Sequence, residues 1–74
     1  MIKVFVKGKA KDFRGAIADY TKAIEIRPNY INAYFDRGLA KLNLGQKDSG
    51  CLDLSKAGEL GHEEAYNLIK DFCK

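Results

Sequence analysis

The sequence has few of the residues from which catalytic and metal sites are built. Its 74 residues include one histidine, His62, and two cysteines, Cys51 and Cys73. Successive members of this trio are eleven positions apart, which matches no compact zinc signature. A single histidine also leaves no evident nucleophile–base pair. We therefore expect neither an enzyme nor a bound metal or other cofactor, and we interpret His62 as a weak helix cap or a surface residue.

Disulfide pairs, long apolar runs and glycine-rich loops are also scarce. Two cysteines are too few for a disulfide framework, so we expect free intracellular thiols, Cys51 in the core and Cys73 at the terminus. No apolar run approaches the roughly 20 residues of a membrane span, and the patch Ile2–Val6 is too short for the core of a signal peptide. The glycines are too dispersed for a phosphate-binding loop. These absences predict a cytoplasmic protein without membrane association.

Positive charge is abundant only at the N-terminus. The formal net charge is +3, yet residues 1–14 hold five basic side chains and one acidic one. The remaining 60 residues hold eight basic and nine acidic side chains. Residues 1–11 therefore form a basic arm, either a shortened helix or an extended strand. Such an arm can meet an acidic partner or nucleic acid, but we favour a solvated segment over nucleic-acid binding.

Four helical patterns follow the arm. Residues 12–26 place apolar or small side chains three and four positions apart, and the pattern stops before Pro28, which cannot continue a helix. A second pattern runs from about Asn32 to Leu44 and a third from about Lys47 to Leu60, each followed by glycine. The fourth begins near His62, with acidic residues in its first turn. The short linkers predict antiparallel neighbours.

The chain repeats itself at a spacing of 34 residues. Asp19–Ile26 reads DYTKAIEI, and Asp53–Leu60 reads DLSKAGEL. Four positions are identical, and three of these are charged residues, which amphipathicity alone does not fix. The pair Ala33–Tyr34 returns at Ala65–Tyr66. A period of this length built from two helices indicates a helical repeat array.

These residues resemble the tetratricopeptide repeat (TPR) family, whose unit is a 34-residue helix–turn–helix. Tyr34 and Gly38 occupy the family's positions in the first helix of a unit, helix A. Leu54 and Ala57 occupy its positions in the second, helix B, and Pro28 closes the preceding unit. The sequence departs from the family pattern at Lys41, Gly50 and His62.

The resemblance implies an all-α, antiparallel TPR-like array. Residues 1–11 would be the basic arm or a truncated helix A, and residues 12–30 would be helix B of an incomplete first repeat. Residues 31–62 would form the complete repeat and residues 63–74 a C-terminal capping helix. Small residues such as Gly38 would let neighbouring helices approach closely. Polar residues of the capping helix would face water: Glu63, Glu64, Asn67, Lys70 and Asp71.

Members of this family bind a peptide or protein segment on a concave face, lined mostly by the A helices. The resemblance implies a groove-facing set made of Asn32, Phe35, Asp36, Leu39, Leu42 and Asn43. Its apolar members would form a sticky stripe, and its polar members would orient the backbone of a partner. Alternatively, Phe35 and Leu39 pack against the arm or the last helix. A clamp for a C-terminal carboxylate is not expected, because these two residues stand where it needs polar groups.

Two function classes follow. The first is a non-catalytic protein–protein interaction module that holds a segment of another protein. The second is a homo-oligomeric helical repeat fragment. In it, a second copy covers the stripe at Phe35 and the incomplete N-terminal edge, made of Ile17, Tyr20 and Ile24. The carboxylates that recur with the repeat are interpreted as solvated helix faces: Asp19, Glu25, Asp53 and Glu59.

Overall fold

The computed structural model describes residues 12–73, and this part of the chain consists of four α-helices without a strand. The helices are α1 (Phe13–Ile26), α2 (Ile31–Asn43), α3 (Lys47–Glu59) and α4 (Glu63–Phe72). Each helix packs against the next one along the chain, and the three- or four-residue connections make neighbours antiparallel. The predicted all-α array is confirmed.

The helix ends follow from local chemistry. At the start of α1, the side chain of Asp12 accepts a hydrogen bond from the backbone N–H of Gly15 at 2.9 Å, which satisfies a donor that the helix leaves free. The backbone adopts an extended conformation at Arg27, immediately before Pro28, and this ends α1. Gly45 and Gly61 follow α2 and α3 with φ of 82° and 118°, in the region that favours glycine. The predicted stops are confirmed.

The core lies between α2, α3 and α4. Its buried cluster is centred on Leu54, which is fully buried, and the cluster consists of Leu39, Leu42, Leu54, Ala57 and Ala65. Tyr34 and the apolar side chains of α4 pack around it. Tyr20 of α1 is partly buried as well. The consecutive hairpins therefore partly enclose Tyr20 and Tyr34, as the repeat pattern predicts.

Two glycines allow α2 and α3 to cross closely. A Cβ atom placed on Gly38 would lie 2.9 Å from the carbonyl oxygen of Gly50, and one placed on Gly50 would lie 2.9 Å from the carbonyl oxygen of Gly38. Real Cβ atoms do not approach oxygen so closely without a shift of the backbone. The expected close contact at Gly38 is present, and the glycine at position 50 has a steric reason.

The two cysteines form a disulfide, so the expectation of free thiols was wrong. Cys51 of α3 and Cys73, which follows α4, have Cα atoms 5.9 Å apart and are joined by an S–S bond. The α3–α4 hairpin brings them together, because they lie at similar distances along the chain from the turn at Gly61. Counting cysteines could not reveal this pairing, whereas measuring their distances from the turn could.

The predicted domain boundaries agree with the helix ends, but the division of the chain into repeat units stays a prediction. The arm or truncated helix A assigned to residues 1–11 lies outside the described residues. On α4, the five polar residues expected to face water are exposed.

Candidate functional site

The predicted groove residues of α2 divide into an accessible group and a buried pair. Asn32 is exposed, and Phe35, Asp36 and Asn43 are partly buried. Leu39 and Leu42, by contrast, are 5% and 3% exposed and belong to the core cluster. The expectation that both leucines line an open groove is therefore corrected. We call the four accessible residues the α2 surface: Asn32, Phe35, Asp36 and Asn43.

The core cluster that contains the two leucines is shared with helix α4. The apolar side chains of α4 that pack against this cluster are Leu68, Ile69 and Phe72. A helix with two apolar faces needs cover on both of them. For α2, Leu39 and Leu42 are covered within the core cluster, and Phe35 packs against that cluster from its edge. The alternative that Phe35 and Leu39 pack against the arm or the last helix stays a prediction, since the arm lies outside the described residues.

Phe35 is held in place by His62. The two rings stack at a centroid distance of 3.9 Å and an interplanar angle of 9°. His62 is the residue before α4, and its side chain makes no capping hydrogen bond to that helix. Its ring thus serves as packing surface, a role that neither a cap nor a solvated surface residue has. The stack fixes the orientation of Phe35 and links α2 to the start of α4.

Two polar members of the α2 surface, Asp36 and Asn43, interact with neighbouring parts of the helices. The Nδ2 atom of Asn43 donates to the backbone carbonyl of Leu39 at 2.9 Å. The carboxylate of Asp36 acts on Tyr20 of α1, whose pKa is raised first by burial and then by the negative charges of Asp36 and Asp19. The α2 surface therefore has its carboxylate on the side that faces α1.

A buried polar network lies behind this surface, and the sequence reasoning missed it. Arg37 donates from Nη2 and Nε to the two carboxylate oxygens of Asp53 at 2.7 and 2.8 Å. Lys41 lies 2.9 Å from the same carboxylate and donates to Ser49 at 2.8 Å. Asp53 is only 6% exposed, so its interpretation as part of a solvated face was wrong.

Arg37 is the centre of this network. Its Nη1 atom reaches Thr21 of α1 at 3.2 Å, and its guanidinium lies 5.5 Å from the ring centroid of Tyr34. The hydrogen bonds that Arg37 donates to the carboxylate of Asp53 raise the pKa of Arg37 above its ordinary value. The sequence did contain a signal: Arg37 and Lys41 are four residues apart on α2, and Lys41 stands where the family commonly has an aromatic residue.

Two of the surface pockets in the described part of the chain are relevant to these features. One, of about 380 Å³, lies at the α1–α2 turn and is lined by residues 27–32. The other, of about 460 Å³, lies between α3 and α4 beside the disulfide. Within residues 12–73, no three His, Cys, Asp or Glu side chains come close enough to hold a metal ion. None of the described helices is long and apolar enough to cross a membrane.

Comparisons with known proteins place the chain in a family. A family model described as TPR repeat matches residues 9–45. A curated protein, "Tetratricopeptide repeat protein 36 homolog" from Nematostella vectensis, is 39% identical over 57 residues. That match covers 77% of this chain and 32% of the relative, so the chain spans about a third of its length. No solved structure matches. With half of its residues matched and its helices arranged as consecutive hairpins, the chain belongs to the tetratricopeptide repeat family.

Proposed function

We propose that this protein is a non-catalytic interaction module whose α2 surface holds an extended segment of another protein. TPR repeats generally mediate protein–protein interaction. The observation that most supports the α2 surface is the fixed orientation of Phe35, whose ring is stacked on His62. An aromatic side chain that is already immobilised loses little conformational entropy when a partner packs on it.

The polar residues around Phe35 suggest how a segment would be oriented. Asn32 is exposed at the start of α2, and Asn43 is held at its end by the bond to Leu39. Side-chain amides can both donate to and accept from a peptide backbone. We propose that Asn32 and Asn43 bind the backbone of the segment, that Phe35 receives an apolar side chain, and that Asp36 favours a basic residue nearby.

The charges argue against a carboxylate as the recognised group. Arg37 and Lys41 are the basic residues of α2, and both are bound to Asp53. A clamp for a C-terminal carboxylate needs basic groups directed at the ligand, and α2 has none to spare for it. This supports recognition of an internal segment.

Protein capture from source-cell extract with single-site variants tests the α2 surface. Asn32→Arg and Phe35→Ala should each lose the bound proteins that the unchanged chain retains. Asn29→Arg is the matched control, because Asn29 is also exposed but lies in the α1–α2 turn. Circular dichroism verifies that each variant keeps its helices. Retention of the same partners by a folded Asn32→Arg chain, or their loss with Asn29→Arg as well, contradicts the proposal.

Self-association is the second candidate function. Its support is α1, which has no buried residue and among the described helices packs mainly against α2. Ile26 at its end is 80% exposed. A second copy covering Ile17, Tyr20 and Ile24 predicts a sedimentation coefficient that rises with concentration. A chain that stays monomeric throughout the series removes this candidate.

Cellular location is a separate proposal. The expected cytoplasmic location rested partly on free thiols, and the disulfide withdraws that support because disulfides persist mainly in oxidising compartments. Alkylation of free thiols in intact cells, followed by mass spectrometry of Cys51 and Cys73, measures which form is present. Any binding of nucleic acid by the basic arm concerns residues 1–11, outside the described residues.

A further inference from the structure

Helix α4 depends on attachments at its two ends. It has 10 residues, and Ala65 is its one fully buried residue. Isolated helices shorter than about 12–15 residues are marginal in water, so α4 needs support from its neighbours. The stack of Phe35 on His62 holds its beginning, and the disulfide from Cys51 to Cys73 holds its end. Between these points it packs mainly on α3.

The disulfide is open to attack from solvent. Both cysteines are partly exposed and line the pocket between α3 and α4, together with Lys47, Ser55 and Ile69. Thiol–disulfide exchange requires that an attacking thiolate can approach one of the two sulfurs. The pocket gives that approach, whereas a disulfide inside the core cluster would not.

We propose that the Cys51–Cys73 bond is a thiol–disulfide exchange site whose redox state controls the docking of α4. A dithiol reductant attacks one sulfur, forming a mixed disulfide and releasing the other as a thiolate, which takes up a proton. The second thiol of the reductant then displaces the remaining sulfur. The reductant ends as a disulfide, and the chain gains two electrons and two protons as two free thiols.

Release of α4 changes two surfaces at once. It removes Leu68, Ile69 and Phe72 from the core cluster that contains Leu54 and Ala57, which exposes apolar area to water. It also separates His62 from Phe35, so the ring of Phe35 loses its support. The reduced chain therefore offers an apolar face that the oxidised chain covers. This inference rests on the contacts of α4 and stands whether or not the α2 surface binds a partner.

Amide hydrogen exchange measured by mass spectrometry tests the proposal on the full chain. The oxidised chain is compared with the same chain treated with a phosphine reductant, and thiol alkylation verifies that both sulfurs are free. We expect the amides of residues 63–72 to exchange about tenfold faster or more after reduction, because local opening is governed by the least stable unit. Residues 31–43 of α2 should keep most of their protection.

The double variant Cys51→Ser/Cys73→Ser provides the matched control. It should show fast exchange in α4 without reductant, and reductant should change nothing further. Unchanged α4 exchange after complete reduction overturns the proposal. Equal acceleration in all four helices also overturns it, since the bond would then stabilise the whole fold rather than one helix. Failure of the purified chain to form the bond under air oxidation is a third contradictory result.

Discussion

The middle of the chain and its two flanks bury their residues very differently. Helices α2 and α3 each contribute five buried residues, whereas α4 contributes one and α1 none. Composition does not explain this: eight of the 14 residues of α1 are apolar, against four of the 13 in α3. The middle helices have a neighbour on each side, and the flanking ones have a single main neighbour among the described residues. Burial here follows position in the array.

The same contrast separates two aspartates that share a repeat position. Asp19 in α1 is exposed, whereas Asp53 in α3 is buried and bound by Arg37 and Lys41. Identical residues 34 positions apart therefore have different roles. In a repeat protein, each unit contacts only its neighbours, so the surroundings of a position change wherever the array is incomplete.

The largest expected effect comes from Leu54→Ala. None of the surface of Leu54 is exposed to solvent (0%). Removing its branched end therefore leaves a cavity between the helices. Such substitutions destabilise by about 2–5 kcal/mol. Urea denaturation followed by circular dichroism measures the loss.

Leu52→Ala is the matched control, because Leu52 lies in the same helix and is 72% exposed. We expect its change in unfolding free energy to stay within about 0.5 kcal/mol. Equal losses for the two variants would contradict the distribution of burial along α3.

Asp53→Asn tests the buried network. It leaves Arg37 and Lys41, whose side chains are 16% and 15% exposed, without their counter-charge. Removing one partner of a buried ion pair destabilises by roughly 3 kcal/mol or more. The control is Asp19→Asn at the same repeat position in α1, where we expect little change. The two unfolding free energies, measured in one denaturation series, should differ by most of that amount. Similar values for both would mean that Asp53 does not hold the helices together.

Gly38→Leu tests the close crossing of α2 and α3. Leucine raises helix propensity over glycine by about 0.8 kcal/mol, yet its Cβ would meet the carbonyl oxygen of Gly50 and the side chain of Leu54. Overpacking of this kind costs about 1–3 kcal/mol, so we expect a net loss of thermal stability. Ala18→Leu, at an exposed position of α1, should show no such loss. A stabilised Gly38→Leu chain would refute the close contact.

The sequence predicted the path of the backbone well, because the signals involved are local or periodic. Pro28, Gly45 and Gly61 end helices through their own conformational limits. The 34-residue repeat then arranged the helices as consecutive hairpins, and the small residues at the crossing followed from the family pattern. Each of these inferences needed only spacing along the chain.

The environment of individual side chains was harder to predict. Asp53 repeats Asp19 in sequence but faces two cations across the α2–α3 contact, which spacing within one helix cannot show. Leu39 looked like part of an open stripe, yet it belongs to the buried core cluster. Both errors arose because the pattern within one helix does not show which side chains of the neighbouring helices lie against it. The binding role of the α2 surface stays a prediction.

The smallest expected effect concerns Tyr20, which joins the flanking α1 to Asp36 of α2. Burial, followed by the charges of Asp36 and Asp19, raises the pKa of Tyr20 above its ordinary value of 10.0. The folded chain therefore keeps the phenol proton at pH values where the unfolded chain has begun to lose it, so stability falls as pH rises beyond about 10. The Tyr20→Phe variant has no phenol at this position, so it should lack this part of the loss of stability at alkaline pH.

The measurement is urea denaturation of the oxidised chain and of the Tyr20→Phe variant, from neutral pH to about pH 11. The effect is the difference between their two free energies of unfolding at each pH. We expect that difference to be constant up to about pH 10, where the phenol is protonated in both states, and then to shift in favour of the variant. Tyr66→Phe is the control, since Tyr66 of α4 is 48% exposed and its ring lies against Gly58 of α3, away from α1. A difference that stays constant through the alkaline range would show that Tyr20 titrates alike in both states. The contact between α1 and α2 would then be looser, relative to the contact between α2 and α3, than their difference in burial indicates.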